Sequence, residues 1–511
     1  MTCRPATLSA GLTAVVVLLA ACTGGEAAEP GSPRGRGAGG GGTDAAPAAT
    51  VSPPEEPAVV ADARTPAGLS VAVSRELFDT APAVVVASAT DYAGIDTAAE
   101  QAERLGVPLL LDDGSGTAVD EISRLGPTTV LAVGPEVAGR VRADGVTVVT
   151  DADQVTTSRP ADGLADVAVL VRTGRDAATR AGAAAATATA KAAGATVVRL
   201  RGTDPRTDPA AIEALSETRP AHVLAAGPGF GSSDRLAGRV AVAVTGEQLP
   251  GGGQVVLPGR RLVALYGHPG TPALGVLGEQ PVDAAIARAK RIAAPYRSLS
   301  GSLPVVPAFE IIATVASAGA GPDGNYSFEA PVSQLRPWVE KGGAAGLYVV
   351  LDLQPGRTDF LTQAKRYEPL LRLPHVGLAL DPEWRLKPTE KHLSQIGSVS
   401  AREINSVYGW LADLTARNTL PQKLFVLHQF RLSMIGTDQP LDRGRDEVAL
   451  LIHMDGQGPP SSKDETWGAV VGAAPEGVPF GWKNFYDEDK PMLSPAQTMS
   501  KRPTPVMISY Q

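Results

Sequence analysis

The chain has 511 residues, enough for two or three domains, and its 43% hydrophobic and 20% charged residues are globular proportions. A formal net charge of -8 argues against a nucleic-acid partner, because phosphate recognition needs a basic face. Two cysteines, Cys3 and Cys22, are too few for a disulfide framework.

In chain order, the first feature is an export signal. Met1 to Ala21 holds one early positive charge, Arg4, and an apolar run from Leu8 to Ala21. A short cationic start with a short apolar core reads as a cleavable signal peptide rather than a spanning helix. It ends in Leu19-Ala20-Ala21-Cys22, which resembles the lipobox of bacterial lipoproteins. That resemblance implies cleavage before Cys22, lipidation of Cys22 (a diacylglyceryl thioether, with palmitate among the lipids) and anchoring on the outer face of the cell membrane. Cys3 would leave with the signal, so the mature chain would have no intrachain disulfide. No later segment is long and apolar enough to span a membrane.

Residues 22–66 are rich in Gly, Pro, Ala and Ser, including Gly39-Gly40-Gly41-Gly42 and Pro53-Pro54-Glu55-Glu56-Pro57. Such composition buries too little surface to offset chain entropy, and predicts a disordered tether.

Residues 67–245 alternate. Strand-like runs at Ala83–Ala87, Val107–Leu111 and Thr129–Gly134 are separated by helical stretches at Asp96–Leu105 and Ala118–Leu125. The pattern recurs with strands at Asp166–Val171, Thr196–Leu200 and His222–Gly227, and helices at Asp176–Ala193 and Pro209–Ser216. Strands alternating with helices predict open parallel sheets with helices on their faces, here as an internal repeat. Ala87-Ser88-Ala89-Thr90-Asp91-Tyr92, Leu105-Gly106-Val107-Pro108-Leu109-Leu110-Leu111 and Val130-Leu131-Ala132-Val133-Gly134 resemble the type 2 putative cell wall-binding repeat. The resemblance implies noncovalent attachment to cell-wall polysaccharide or peptidoglycan. It departs from that family at Gly94-Ile95, where an Asp-Ala pair is usual, and at Gly134-Pro135, where paired glycines are usual.

A glycine-rich stretch with Gly251-Gly252-Gly253 predicts a linker over residues 246–260. Residues 261–511 then carry eight strand-like runs, with the clearest helices at Val282–Leu299, Val332–Lys341, Phe360–Leu371 and Ala401–Asn418. The fold class is therefore α/β, a repeated open parallel module followed by a (β/α)8 TIM-like barrel.

In such barrels the active site lies at the C-terminal strand ends. Those ends carry His268, Glu310, Asp352 and Gln354, Asp381 and Glu383, His428 and Gln429, His453 and Asp455, Lys483, Asn484, Tyr486 and Asp487, and Tyr510 and Gln511. The sharpest signal is Gly377-Leu378-Ala379-Leu380-Asp381-Pro382-Glu383-Trp384. Two carboxylates two apart share a face if extended geometry continues. Close carboxylates separate their pKa values, leaving one protonated near neutrality, as a glycosidic general acid must be. The run resembles the fourth-strand signature of family 18 glycoside hydrolases, with Ala379 in place of that pattern's first aspartate. The resemblance implies Glu383 as the acid and Asp381 as the group orienting a substrate N-acetyl group. Trp384, Asp352, Gln354, His428, Asp455, Tyr486 and Asp487 are the candidate substrate-binding residues. No cofactor is expected.

Three functions compete. The first is a cell-envelope lipoprotein whose barrel binds or hydrolyses a polysaccharide containing N-acetyl sugars. The second is a noncatalytic cell wall-binding scaffold. The third is metal-dependent hydrolysis through His268, His428, His453, Asp352 and Asp455, although the chain has neither a His-x-His pair nor a His-Glu-x-x-His helix.

Overall fold

A computed structural model describes residues 46–511. The signal segment, Cys22 and the first part of the expected tether lie outside the described residues. Residues 46–511 form one compact unit.

Two four-stranded parallel sheets make up its first part. One runs Leu109–Asp112, Ala83–Ser88, Thr129–Val133, Thr147–Val149 across the sheet. The other runs Thr196–Leu200, Val167–Arg172, His222–Ala226, Ala58–Ala61. In each, the second strand of the segment flanks the first, and the first flanks the third. The fourth place differs. It is filled by the next strand in sequence in one sheet, and by residues from the N-terminal side in the other. The sheets are joined through the alanine-rich helix Ala177–Ala192, whose small buried residues Ala181, Gly182, Ala185 and Ala186 let helices Pro66–Leu77 and Tyr92–Leu105 approach closely.

The strand Ala58–Ala61 corrects the expectation of a tether to residue 66. It pairs in parallel with His222–Ala226, and Thr50–Val51 pairs antiparallel with Phe78–Thr80. A four-residue Ala-Val-Val-Ala run is short, but it covers an open sheet edge whose backbone groups otherwise lack partners.

Residues 246–260 are likewise not a loose linker. Gln254, Val256 and Arg260 are buried. Gln254 donates from Nε2 to the carbonyls of Val242 and Glu247, each at 2.9 Å, and its own carbonyl accepts from the Gln422 backbone at 2.8 Å. Gly251, Gly252 and Gly253 all have positive φ (89°, 88° and 71°), so the three glycines make a tight turn rather than a flexible spacer. Close by, Asp446 of the barrel accepts from Arg239 Nε at 2.7 Å and Arg235 Nε at 2.8 Å.

Eight parallel strands close the barrel: Arg261–Gly267, Val305–Ala316, Tyr348–Leu353, Val376–Leu380, Lys423–His428, Val448–Met454, Phe480–Asn484 and Met507–Tyr510. The first pairs with both the second and the eighth. Every other residue points in. Leu262, Ala264, Ala308, Val350, Val426 and Leu451 pack together inside. Their neighbours Leu265, Phe309, Leu351 and Phe425 pack outward against the helices. The helix Pro460–Ala473, outside the four clearest in the sequence, follows the sixth strand. After the fifth strand only the short 3-10 turn Leu432–Met434 stands where a helix would.

Candidate functional site

The same alternation that fills the barrel with apolar side chains changes chemistry at its upper end. One step above the apolar layers, the inward positions become Tyr266, Glu310, Asp352 and Asp381 on or just after the first four strands. Across the remaining four they are His428, His453, Lys483 and Ser509, and all eight are buried. Above them opens a cavity of about 290 Å³, walled in part by Tyr266, Gln354, Asp381, Glu383, Trp384 and Asp455.

The fourth strand places the carboxylate pair. It ends at Leu380, and the chain turns into a single 3-10 turn, Pro382–Trp384. Asp381 starts this turn, its Oδ1 accepting from the Glu383 N–H at 3.3 Å. The Glu383 carbonyl accepts from Gly397 N–H at 2.7 Å, which fixes the turn from behind. Extended geometry therefore stops at Asp381, because Pro382 locks φ and the cap draws the backbone round. Both carboxylates nevertheless line the one cavity.

The expected site residues separate into three groups. Asp381, Glu383, Trp384, Gln354 and Asp455 meet in the cavity wall. Asp352 and His428 are wholly buried and bonded to that wall: Tyr266 Oη donates to Asp352 Oδ2 at 2.8 Å, and His428 Nδ1 lies 3.0 Å from Asp455 Oδ2. Tyr486 and Asp487 stand apart from the cavity. Tyr486 is 39% exposed beside Tyr510, and Asp487 is also exposed. The seventh strand gives its inward place to Lys483, Asn484 and Phe485 stay buried, and the chain reaches solvent only at Tyr486.

Lys483, Phe430 and Phe485 also line the cavity, and Lys483 Nζ lies 3.4 Å from the Tyr266 ring centroid. Tyr266, Lys483 and Ser509 are inward residues within strands. The polar strand ends include Lys483 but not Tyr266 or Ser509, which the period-two alternation that assigns the apolar interior would identify.

Burial and mutual charge set the acidities. Burial and the charge of Asp455 raise Glu383 to about 7. Burial and the neighbouring Asp352 raise Asp381 well above the carboxylate range. Burial lifts Asp352 to about 6 despite the His428 charge. Burial would raise Asp455 too, but the hydrogen bond and charge of His428 prevail and hold it low. Burial depresses His453 to about 3, so it is a neutral ring with Nε2 2.7 Å from Ser509 Oγ. The cavity thus holds a carboxyl that keeps its proton near neutrality beside a carboxylate that does not, the division of labour acid–base hydrolysis requires.

Among the described residues, no group of three or more His, Cys, Asp or Glu side chains is arranged to hold a metal ion. His428 has a carboxylate oxygen 3.0 Å from each ring nitrogen, and His268 Nδ1 accepts from Gly270 N–H at 2.9 Å. No helix among the described residues is long and apolar enough to cross a membrane.

No protein family and no curated protein matches the sequence. Among solved structures the chain is similar to Cwp6 from Clostridium difficile, with 12% identity and a TM-score of 0.30, over 66% of this chain and 63% of that one. The chain therefore spans less than two thirds of that structure.

Proposed function

We propose that the barrel is a glycoside hydrolase acting on a polysaccharide that contains N-acetyl sugars. The observation that carries this is Glu383, a carboxyl raised to about 7 in the wall of a cavity it shares with Asp381 and Asp455. Glu383 protonates the leaving glycosidic oxygen and afterwards takes a proton from water. Asp381, fixed at the mouth by its own turn, orients the N-acetyl group. Trp384 supplies an aromatic face for a sugar ring, and Gln354 a hydrogen-bonding group in the same wall.

The remaining proposals concern placement. Cys22 carries the lipid, the chain is exported to the outer face of the cell membrane, and the repeated α/β module holds cell-wall polysaccharide or peptidoglycan. The test is hydrolysis of purified cell-wall glycan by wild type and by Glu383→Gln. Turnover by wild type and retained binding without turnover by the variant is the expected pair of results. If wild type sediments with cell wall but cleaves nothing, the noncatalytic scaffold is the better account. Activity lost to a chelator and restored by zinc would favour metal-dependent hydrolysis instead.

A further inference from the structure

Beneath the cavity lies a histidine that meets a carboxylate at each ring nitrogen. His428 is wholly buried. Its Nδ1 is 3.0 Å from Asp455 Oδ2, and its Nε2 is 3.0 Å from Glu310 Oε1 and 3.9 Å from Asp352 Oδ1. A neutral imidazole has one N–H and one lone pair. In that form, one nitrogen would turn its lone pair on a carboxylate oxygen at hydrogen-bond distance. With a proton on each nitrogen, both contacts are charge-assisted hydrogen bonds. The ring is held edge-on between Tyr266 and His453, with centroids 6.1 and 5.2 Å away.

The charged surroundings point the same way. Glu310, Asp455 and Asp352 favour the cation, and Lys483 is the opposing charge on the seventh strand, acting on the same carboxylates. Burial alone would discharge the ring, but the Glu310 charge and the two hydrogen bonds outweigh it and raise its pKa well above the usual range. Asp455 keeps one further feature. Its Oδ1 is buried without a hydrogen-bond partner, and the residue lines the cavity.

We propose that His428 is a permanently charged positioning residue, an imidazolium that clamps Asp455 by one oxygen and leaves the other for a donor group of the substrate. The clamp also acts on the acid, a consequence that rests on the glycosidase reading. The His428 charge draws the Glu383 titration down, and the Asp455 charge draws it up.

Nitrogen-15 NMR of the histidine-labelled protein tests the charge, with the His428 signals assigned by their loss in His428→Gln. Both nitrogens are expected to stay in the imidazolium range from about pH 5 to about pH 9. A neutral-tautomer pattern, or titration near the ordinary histidine value of about 6.5, overturns the proposal. Carbon-13 titration of the Glu383 carboxyl then tests positioning. In His428→Gln, where both the imidazolium charge and its hold on the Asp455 charge are lost, the midpoint is expected to shift by on the order of half a unit or more. A midpoint that stays put, even with a lowered melting temperature, makes His428 a structural residue and overturns the role. Should the variant not fold, the His428 ring nitrogens are assigned by through-bond correlation to its backbone, and the wild-type nitrogen spectrum decides. Neither measurement needs turnover, so a failure of hydrolysis would remove the glycosidase reading and leave the charged clamp standing.

Discussion

Replacing Glu383 by Gln keeps the side chain's shape and removes its proton, so rate and stability should move in opposite directions. General acid–base help is worth about 10²–10⁴-fold, and hydrolysis should fall by that order while glycan binding persists. Stability carries an independent sign. The carboxyl titrates at about 4.5 when unfolded and about 7 when folded. Its contribution is therefore fully present below about 4.5, and is lost as pH rises through about 7, where a buried charge must form. Glu383→Gln should accordingly gain melting temperature relative to wild type between pH 5 and pH 8; a constant difference across that window would contradict the raised pKa. The same group sets the alkaline limb of the rate. Turnover should decline above about pH 7 as the acid loses its proton, and a rate–pH profile flat to pH 9 would exclude Glu383 as the acid.

At the scale of elements, legibility followed the length and regularity of each pattern. The barrel strands were visible because each is an apolar run of several residues between turn signals, and the fourth-strand carboxylates because they end such a run. Ala58–Ala61 was not, since its four residues sit just after Pro53-Pro54-Glu55-Glu56-Pro57 and only a distant partner, His222–Ala226, makes them a strand. Pro460–Ala473 is not among the clearest helices of the sequence for a related reason. Its buried residues are only Lys463, Trp467 and Val470, too thin an apolar stripe to read among Ser461, Ser462, Asp464 and Glu465. Tyr266 and Ser509 are not legible from strand ends because the polar layer begins inside the strands, one inward position below their ends. The edge strand supplies its own prediction. Val59→Pro removes an edge N–H and Val60→Pro does the same one residue on, yet only one of these two donors faces the paired side in a strand. One substitution should therefore cost markedly more than the other in urea unfolding, on the order of 3 kcal/mol against a smaller loss. Equal, negligible effects would mean that residues 58–61 behave as the tether their composition predicts.

For the whole molecule, the decisive matter is how the α/β part and the barrel are joined. A glycine-rich stretch between two folded parts ordinarily invites proteases, because exposed flexible backbone is where they cut. Here Gln254 and Arg260 are buried, Gln254 bonds both sides of the junction, and the Asp446 carboxylate is gripped by Arg235 and Arg239. Burial would raise the Asp446 pKa, but its hydrogen bonds to Arg235 and Arg239 drive it well below the carboxylate range, so the grip persists through ordinary acid conditions. Limited proteolysis of wild type should therefore leave a fragment that retains both parts, with no early cut near Gly251. Asp446→Ala leaves Arg239, which is only 10% exposed, with Asp204 Oδ2 at 3.4 Å as its remaining carboxylate, and should destabilise by roughly 1–3 kcal/mol. Because that loss falls on the junction rather than on either core, the variant should acquire a cut within residues 246–260 while Glu383 still titrates at about 7. Early cleavage of wild type at Gly251 would show instead that the parts move independently, and the barrel mouth would then be free of any orientation imposed by the α/β part.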